Sequence, residues 1–432
     1  MKKIIEKIKT SIWLYPAVYS LFSLTLAISI SIIHKLYADE ISNHISGLFF
    51  TAPPMAQTIL SIVAGAFITI ATFTFSTTMV VLTMYSTQFT PRVVENFLDN
   101  IVMMKSFGVF LSGFIYAITA LLLINTNTDD NLLIVASVGV IYVIVGLVYF
   151  ILFIHSVSTH IQASDLLLRL QKEASKKIKQ YSDSVKQSHV ISEIEMQKIC
   201  NNKNHIDVLS QSDGYIQEIN YLKLCQIAHD YNCIACFKKV VGQFIAIDTR
   251  IVTVYYEDSK RIDETLVHEI QKCVQIGNKR TEMQDFSFSI QKIVEIALKA
   301  LSPGINDPNT AVHCLKIIGV LLRDIADLEK GYVVLKEKKE RGIIIYEAYD
   351  FEILLYDAYN QIIFFGQSDA AVVIALFKSL RYITAKSSEN NTHIITKYAN
   401  SLFEKLTING FDSLEYSKIS KEYSELAHYS VM

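Results

Sequence analysis

Charge is distributed so unevenly along this chain that the distribution alone determines its broad architecture. Residues 10–34, 41–91, 106–128 and 131–164 contain no Asp, Glu, Lys or Arg. Of 82 charged residues, 14 lie in the first 164 positions and 68 in the remaining 268. A helix rises ~1.5 Å per residue, so about 20 apolar residues cross a hydrocarbon core, and each window exceeds that. The pattern predicts an integral membrane α-helical region of four transmembrane helices (about 12–34, 56–87, 104–124 and 132–155), followed by a larger water-soluble α+β C-terminal domain. The lipid bilayer is therefore the first expected partner. With 51% apolar residues the chain is too apolar for an ordinary soluble protein. A net charge of −2 and the lack of a basic stripe with interleaved aromatics argue against nucleic acid.

Orientation follows from the basic residues. Lys2, Lys3, Lys7 and Lys9 precede the first span, which is read as retained rather than as a leader. Arg92 and Lys105 flank the loop after the second span, and Arg169, Lys172, Lys176, Lys177 and Lys179 follow the fourth. The turn Asn125–Asn131 is acidic. Both termini are expected in the cytoplasm. All six cysteines (200, 225, 233, 236, 273 and 314) fall in the C-terminal region, which suits a reducing compartment without disulfides. Cys233 and Cys236 make a lone CxxC, read as strand residues rather than a metal site.

The second span carries the most unusual pattern. On a helical wheel at ~100° per residue, Thr58, Ser61, Gly65, Thr69, Thr72, Ser76, Thr83 and Thr87 fall within about 60° of one line. Two readings compete. Small residues and hydroxyls allow close helix packing, and an uncharged hydroxyl stripe also wets a pore. No acidic or basic residue lies at mid-membrane depth in any span, unlike in pumps, proton-coupled carriers and voltage sensors. The span runs into a membrane-exit motif, Gln88, Phe89, Thr90, Pro91 and Arg92, whose arginine reaches headgroup level.

The C-terminal region divides by pattern into a helical extension of the fourth span (165–189), a β-rich stretch (190–257), a helical stretch (258–328), and a hairpin followed by helices (329–432). GYIQEI and GQFIAID resemble half of a biotinyl/lipoyl-type hammerhead, but no carrier lysine sits at a hairpin tip, so no cofactor is expected. In the helical stretch, Phe288–Leu301 reads as an amphipathic helix ended by Ser302–Pro303–Gly304, with Gly304 as the left-handed residue. Asp307 and Pro308 then read as N-cap and first residue of the next helix. Arg280, Thr281, Gln284, Asp285, Ser302, Asn306 and Asp307 form a polar cluster. It serves either as a ligand pocket or as a network that locks the corner, with Arg280 pairing Asp285.

Three elements together resemble a known family. They are the hydroxyl-rich second span running into QFTPR, the DGYIQEI segment, and the long GNKRTEMQDFSFSIQ…ALSPGINDPNTA motif. Along nearly its full length the chain resembles the bacterial membrane family defined by domain of unknown function 2254. Thr90 and Ser289 stand where that family usually has Gly, and Lys299 where it usually has Arg. The resemblance implies four spans and a cytoplasmic C-terminal domain in the bacterial inner membrane, and it implies no activity.

Three function classes remain: a homo-oligomeric channel-like protein whose pore is lined by the second span, a membrane-anchored sensor or scaffold, and an enzyme. No nucleophile–base pair or metal set is evident, so no catalytic residues, metal or cofactor are expected. A small ligand or ion of unspecified identity is the remaining expected partner.

Overall fold

The computed structural model describes residues 14–44, 50–88, 101–124, 134–160, 163–257, 263–336, 342–406 and 410–429. The N-terminal lysines, Phe89, Thr90, Pro91 and Arg92 of the exit motif, the acidic turn 125–131 and most of the charged hairpin turn lie outside these residues. The chain divides into two compact units, Met1–Leu166 and Leu167–Met432.

The first unit contains four helices: α1 (Leu14–His44), α2 (Pro53–Gln88), α3 (Ile101–Leu123) and α4 (Val135–His160). All four are long and apolar enough to cross a membrane. Two boundaries differ from the sequence reading. The Pro53–Pro54 pair opens α2 instead of preceding it, because a proline in the first helical turn forfeits only a donor that has no intrahelical acceptor. α1 continues past the apolar stretch to His44 through Lys35, Asp39 and Glu40.

In lipid, apolar surface gains little by leaving its solvent, so these helices must be held by close packing and hydrogen bonds. α3 is the central helix and packs against α1, α2 and α4. Its buried face is rich in small residues: Ser106, Gly108, Ser112, Gly113, Ala117 and Ala120. The buried Phe67 ring of α2 lies against both Gly113 and Gly146, where an added Cβ would stand 2.5 and 2.7 Å from ring carbons. Polar bonds complete the contact. The Ser23 hydroxyl donates to the Ser112 carbonyl (2.6 Å), and the Tyr116 hydroxyl to the Val135 carbonyl (2.8 Å).

The second unit is mixed α/β. Its elements are α5 (Ala163–Gln187), β1 (His189–Ile191), α6 (Glu193–Cys200), β2 (Asn204–Leu209), β3 (Gly214–Ile219), α7 (Tyr221–Tyr231), β4 (Ile234–Phe237), β5 (Phe244–Ile245), β6 (Arg250–Tyr256), α8 (Glu264–Gln271), β7 (Val274–Gly277), α9 (Phe286–Ala300), α10 (Pro308–Arg323), β8 (Tyr332–Lys336), β9 (Ile343–Glu347), α11 (Phe351–Gly366), α12 (Ala370–Thr384), α13 (Glu389–Leu406) and α14 (Ser413–Tyr429).

One sheet has six strands in the order β1-β8-β9-β4-β6-β2, with β4–β9 parallel and its other neighbours antiparallel. The stretches separated by sequence pattern thus share one sheet, since the β8–β9 hairpin docks on β4. Every residue of β4 is buried, and alternate side chains serve two cores. Ala235 and Phe237 join the main core, whereas Ile234 and Cys236 face a smaller cluster with Ile191, Met196, Cys200, Val334 and Ile345. The second sheet is β5-β3-β7, antiparallel throughout. GYIQEI is therefore the centre of a small three-stranded sheet rather than half of a hammerhead. The strand β7 falls in a stretch expected to be helical; four residues carry too little periodicity to reveal a partner 55 or more positions away.

Helices α9 to α14 pack against one another in the C-terminal part of the unit. α10 and α12 approach closely at Gly319, where a Cβ would stand 2.4 Å from Ser379 Oγ. Ser379 donates to the Leu315 carbonyl (2.6 Å), satisfying its hydroxyl in the core.

Candidate functional site

Two groups of residues drew attention in the sequence, and each occupies a definite place in its own unit. In α2 the buried residues are Ala56, Leu60, Val63, Ala64, Phe67, Ala71, Thr74, Val81 and Tyr85. At ~100° per residue they fall on the side opposite the hydroxyl stripe. Thr58, Ser61, Gly65, Thr69, Thr72, Ser76, Thr83 and Thr87 are all exposed. The stripe therefore does not pack against another described helix of the first unit. A Cβ at Gly65 would meet nothing within 4 Å.

The stripe threonines are bonded to their own helix. Thr69 donates to the Gly65 carbonyl (2.7 Å), Thr72 to Ile68 (2.8 Å), Thr58 to Pro54 (2.9 Å) and Thr83 to Met79 (2.9 Å). Such i−4 bonds remove the donor that would otherwise be costly against lipid. They leave the oxygen lone pairs facing outward.

In the second unit, the polar cluster separates into two groups at opposite ends of α9. With 15 residues, this helix is about 22 Å long. At its N-terminus Asp285, with 0% of its surface exposed, caps the helix by accepting from the Phe288 N–H (3.1 Å). Arg280 donates to the same carboxylate from Nε (2.5 Å) and Nη2 (3.2 Å), and from Nη1 to Gln291 Oε1 (2.7 Å). The Ser287 hydroxyl donates to Asp285 at 2.8 Å. The Tyr349 hydroxyl lies 3.4 Å from Asp285 and donates to the Val241 carbonyl at 2.8 Å. Gly242, at φ +91°, lies against this pair; a Cβ there would stand 2.0 Å from Asp285 Oδ2. Only glycine combines that backbone angle with that contact.

Gln284 ties the loop to β3. Its side chain accepts from the Ile219 N–H (3.0 Å) and donates to the Ile219 carbonyl (3.1 Å). Thr281 Oγ1 is buried without a hydrogen-bond partner among the described residues.

The second group lies at the corner between α9 and α10. Ser302 donates to the Lys299 carbonyl (2.6 Å), while Asp307 caps α10, accepting from the Thr310 N–H (3.1 Å), with Pro308 in the first turn. The left-handed residue is Asn306 (φ 50°) rather than Gly304. The chain makes one further turn first, with the Ile305 and Asn306 N–H groups donating to the Ser302 carbonyl. That moves the reversal two positions on, to a residue type that tolerates it. The seven polar residues thus do not converge on one pocket.

Sequence reasoning missed a third cluster. Lys292, 6% exposed, pairs with Glu282, which also accepts from Lys177 (2.6 Å) and the Ser289 hydroxyl (2.8 Å). Burial alone would raise the Glu282 carboxyl, but the two ammonium groups outweigh it and hold it down to about 2. The signal was a lysine on the core-facing side of an apolar helix, which demands a buried counter-charge. Along α9 and α11 lies a cleft of about 340 Å³ whose polar lining includes Arg280, Gln291, Glu295, Asp357 and Asn360. Burial raises the Asp357 carboxyl, with the Arg280 charge opposing.

Four apolar membrane-spanning helices followed by an α/β unit define a polytopic membrane protein with a large extramembrane portion. The profile of the predicted membrane protein family DUF2254 matches residues 9–382, and the chain belongs to that family. It is 21% identical over 386 residues to uncharacterized proteins of Mycobacterium bovis and Mycobacterium tuberculosis, covering 88% of this chain and 73% of each relative. No solved structure matches it.

Proposed function

We propose that the chain is the subunit of a homo-oligomeric, channel-like assembly of the bacterial inner membrane, with α2 lining the conducting path. In this reading both termini and the second unit lie in the cytoplasm, and the second unit regulates the path. One observation carries the proposal: the hydroxyl stripe faces away from the chain's own bundle. From Thr58 to Thr87 it runs about 44 Å at ~1.5 Å per residue, more than the ~30 Å hydrocarbon core. Four spans do not enclose a pore by themselves, so several copies must contribute α2 to a common axis. An uncharged hydroxyl lining supplies acceptor oxygens without a fixed charge to trap an ion. The reading assigns no catalysis.

A sensor or scaffold is the second reading, and the polar cleft between α9 and α11 supports it, being large enough for a small ligand. Ion flux through the full chain in liposomes separates the two. Flux blocked by Thr72→Leu and Ser76→Leu is the expected result. Absence of flux under voltage, osmotic stress and pH change, with both variants folded as well as wild type, would sink the channel and leave the cleft as the functional site.

A further inference from the structure

The CxxC pair that the sequence offers is not the pair that the fold assembles. Cys233 and Cys236 are three positions apart on extended chain, so their side chains leave opposite faces of the sheet. Cys233 packs into the main core and Cys236 into the smaller cluster beneath α6. There Cys236 meets Cys200, the last residue of α6, at an Sγ···Sγ distance of 3.5 Å. Both thiols are free, with 6% and 5% of their surface exposed.

The two sulfurs stand in unequal surroundings. The hydrogen bond between the two thiols, in which either sulfur can donate, lowers the Cys200 thiol against the effect of burial, and the charges of Lys203 and Lys238 lower it further. That same hydrogen bond, together with burial, raises Cys236. The other buried cysteines lack such help: burial pushes Cys233 up to about 12 and also raises Cys273 and Cys314. A thiolate with an adjacent second thiol is the arrangement of a reactive and a resolving cysteine.

We propose that Cys200 and Cys236 are a redox modification site at which a peroxide drives formation of a reversible disulfide. The Cys200 thiolate attacks one peroxide oxygen, breaking the O–O bond, and becomes a sulfenic acid as the other oxygen leaves as water. The Cys236 sulfur then attacks the Cys200 sulfur and expels the sulfenic oxygen as a second water. Two thiols and one hydrogen peroxide give one disulfide and two waters, so atoms and electrons balance. The sulfurs must close by roughly 1.5 Å to reach a bond of about 2.05 Å. Both sulfurs are buried, so a small oxidant reaches them through a local opening at the eight-residue α6. The product ties the end of α6 to a central strand of the six-stranded sheet.

The test uses the full chain in detergent, as wild type and as Cys236→Ser. Reduced protein is exposed to hydrogen peroxide, quenched with N-ethylmaleimide and peptide-mapped over time. Cys225, the half-buried thiol, is the internal comparator. The expected result is a Cys200–Cys236 linked peptide that forms at least about tenfold faster than Cys225 is lost and that dithiothreitol reverses. Cys236→Ser should leave Cys200 as a sulfenic acid that dimedone traps. A link forming no faster than Cys225 is lost, or Cys233 or Cys314 oxidising before Cys200, overturns the proposal.

Discussion

Replacing Asp285 with alanine removes two things that can be costed separately. The first is the N-cap of α9, typically worth about 1 kcal/mol. The second is the carboxylate that two donors of Arg280 share with Ser287. Breaking a buried ion pair by removing one partner costs ~3–5 kcal/mol. Arg280 is 23% exposed and recovers some hydration, which favours the lower end of that range. Together the loss is roughly 4 kcal/mol, a large part of a typical stability of about 5–15 kcal/mol. For a unit of this size each kcal/mol lowers the melting temperature by about 2–4 °C, so a drop of roughly 8 °C or more is expected.

The protein carries its own probe for this measurement. All six cysteines lie in the second unit and five are buried, so a thiol-reactive fluorophore reports the melting of that unit within the full chain. Asp285→Asn should recover about 1 kcal/mol, because asparagine also caps but carries no charge for Arg280. Arg280→Met should cost more than Asp285→Ala, since it strands a carboxylate that has 0% of its surface exposed. Arg280→Met combined with Asp285→Asn should cost less than the two changes added together. Melting of Asp285→Ala within 2 °C of wild type, or additive behaviour in the double variant, refutes the view that a buried, coupled pair holds this corner.

Two further outcomes follow from the same unit. Glu282 titrates at about 2 in the fold against 4.5 for an ordinary glutamate, so its contribution is fully present above pH 4.5 and is lost as pH falls through about 2. At ~1.4 kcal/mol per pH unit this is roughly 3 kcal/mol, and Glu282→Gln should flatten the melting temperature between pH 5 and 3 relative to wild type. At Asn306, φ 50° makes valine costly, so Asn306→Val should lose about 1–2 kcal/mol while Asn306→Gly stays near neutral in the same melt.

What the sequence revealed, and what it concealed, depends on the range of each interaction. Missing charge marks a span wherever it occurs, because each residue answers to the bilayer separately. The helices α11 to α14 were legible from amphipathic spacing, and the Asp307–Pro308 start of α10 from two adjacent residue types. The αL position at Asn306 was misplaced because proline and glycine nearby offered a plausible earlier stop. Lys292 with Glu282, Cys200 with Cys236, and β3 with β7 were out of reach, since each partnership is visible only from both ends. The polar cluster was half legible: the Arg280–Asp285 pair lies five positions apart, whereas its division between two ends of a helix is a matter of length.

The long motifs also turn out to serve one another. Gly242 leaves room for Asp285, Gln284 clamps the backbone of GYIQEI at Ile219, and Tyr349 bridges Asp285 to the Val241 carbonyl. A change in any one of them disturbs the others, which makes such a motif long without requiring that it perform chemistry. Its polar groups are largely consumed by each other: Arg280 uses Nε, Nη1 and Nη2 on Asp285, Ser287 and Gln291. The case for α2 runs the other way. A membrane helix gains nothing from aligning threonines along 30 residues if lipid is the only neighbour, because leucine would serve there at less cost. Back-bonding to the i−4 carbonyls makes such a face tolerable in lipid, and in the proposed assembly water or another copy of the chain would use the oxygens left outward. In the assembly proposed above, Gly65, with open space beyond its Cα, is where a second α2 would meet the least side chain.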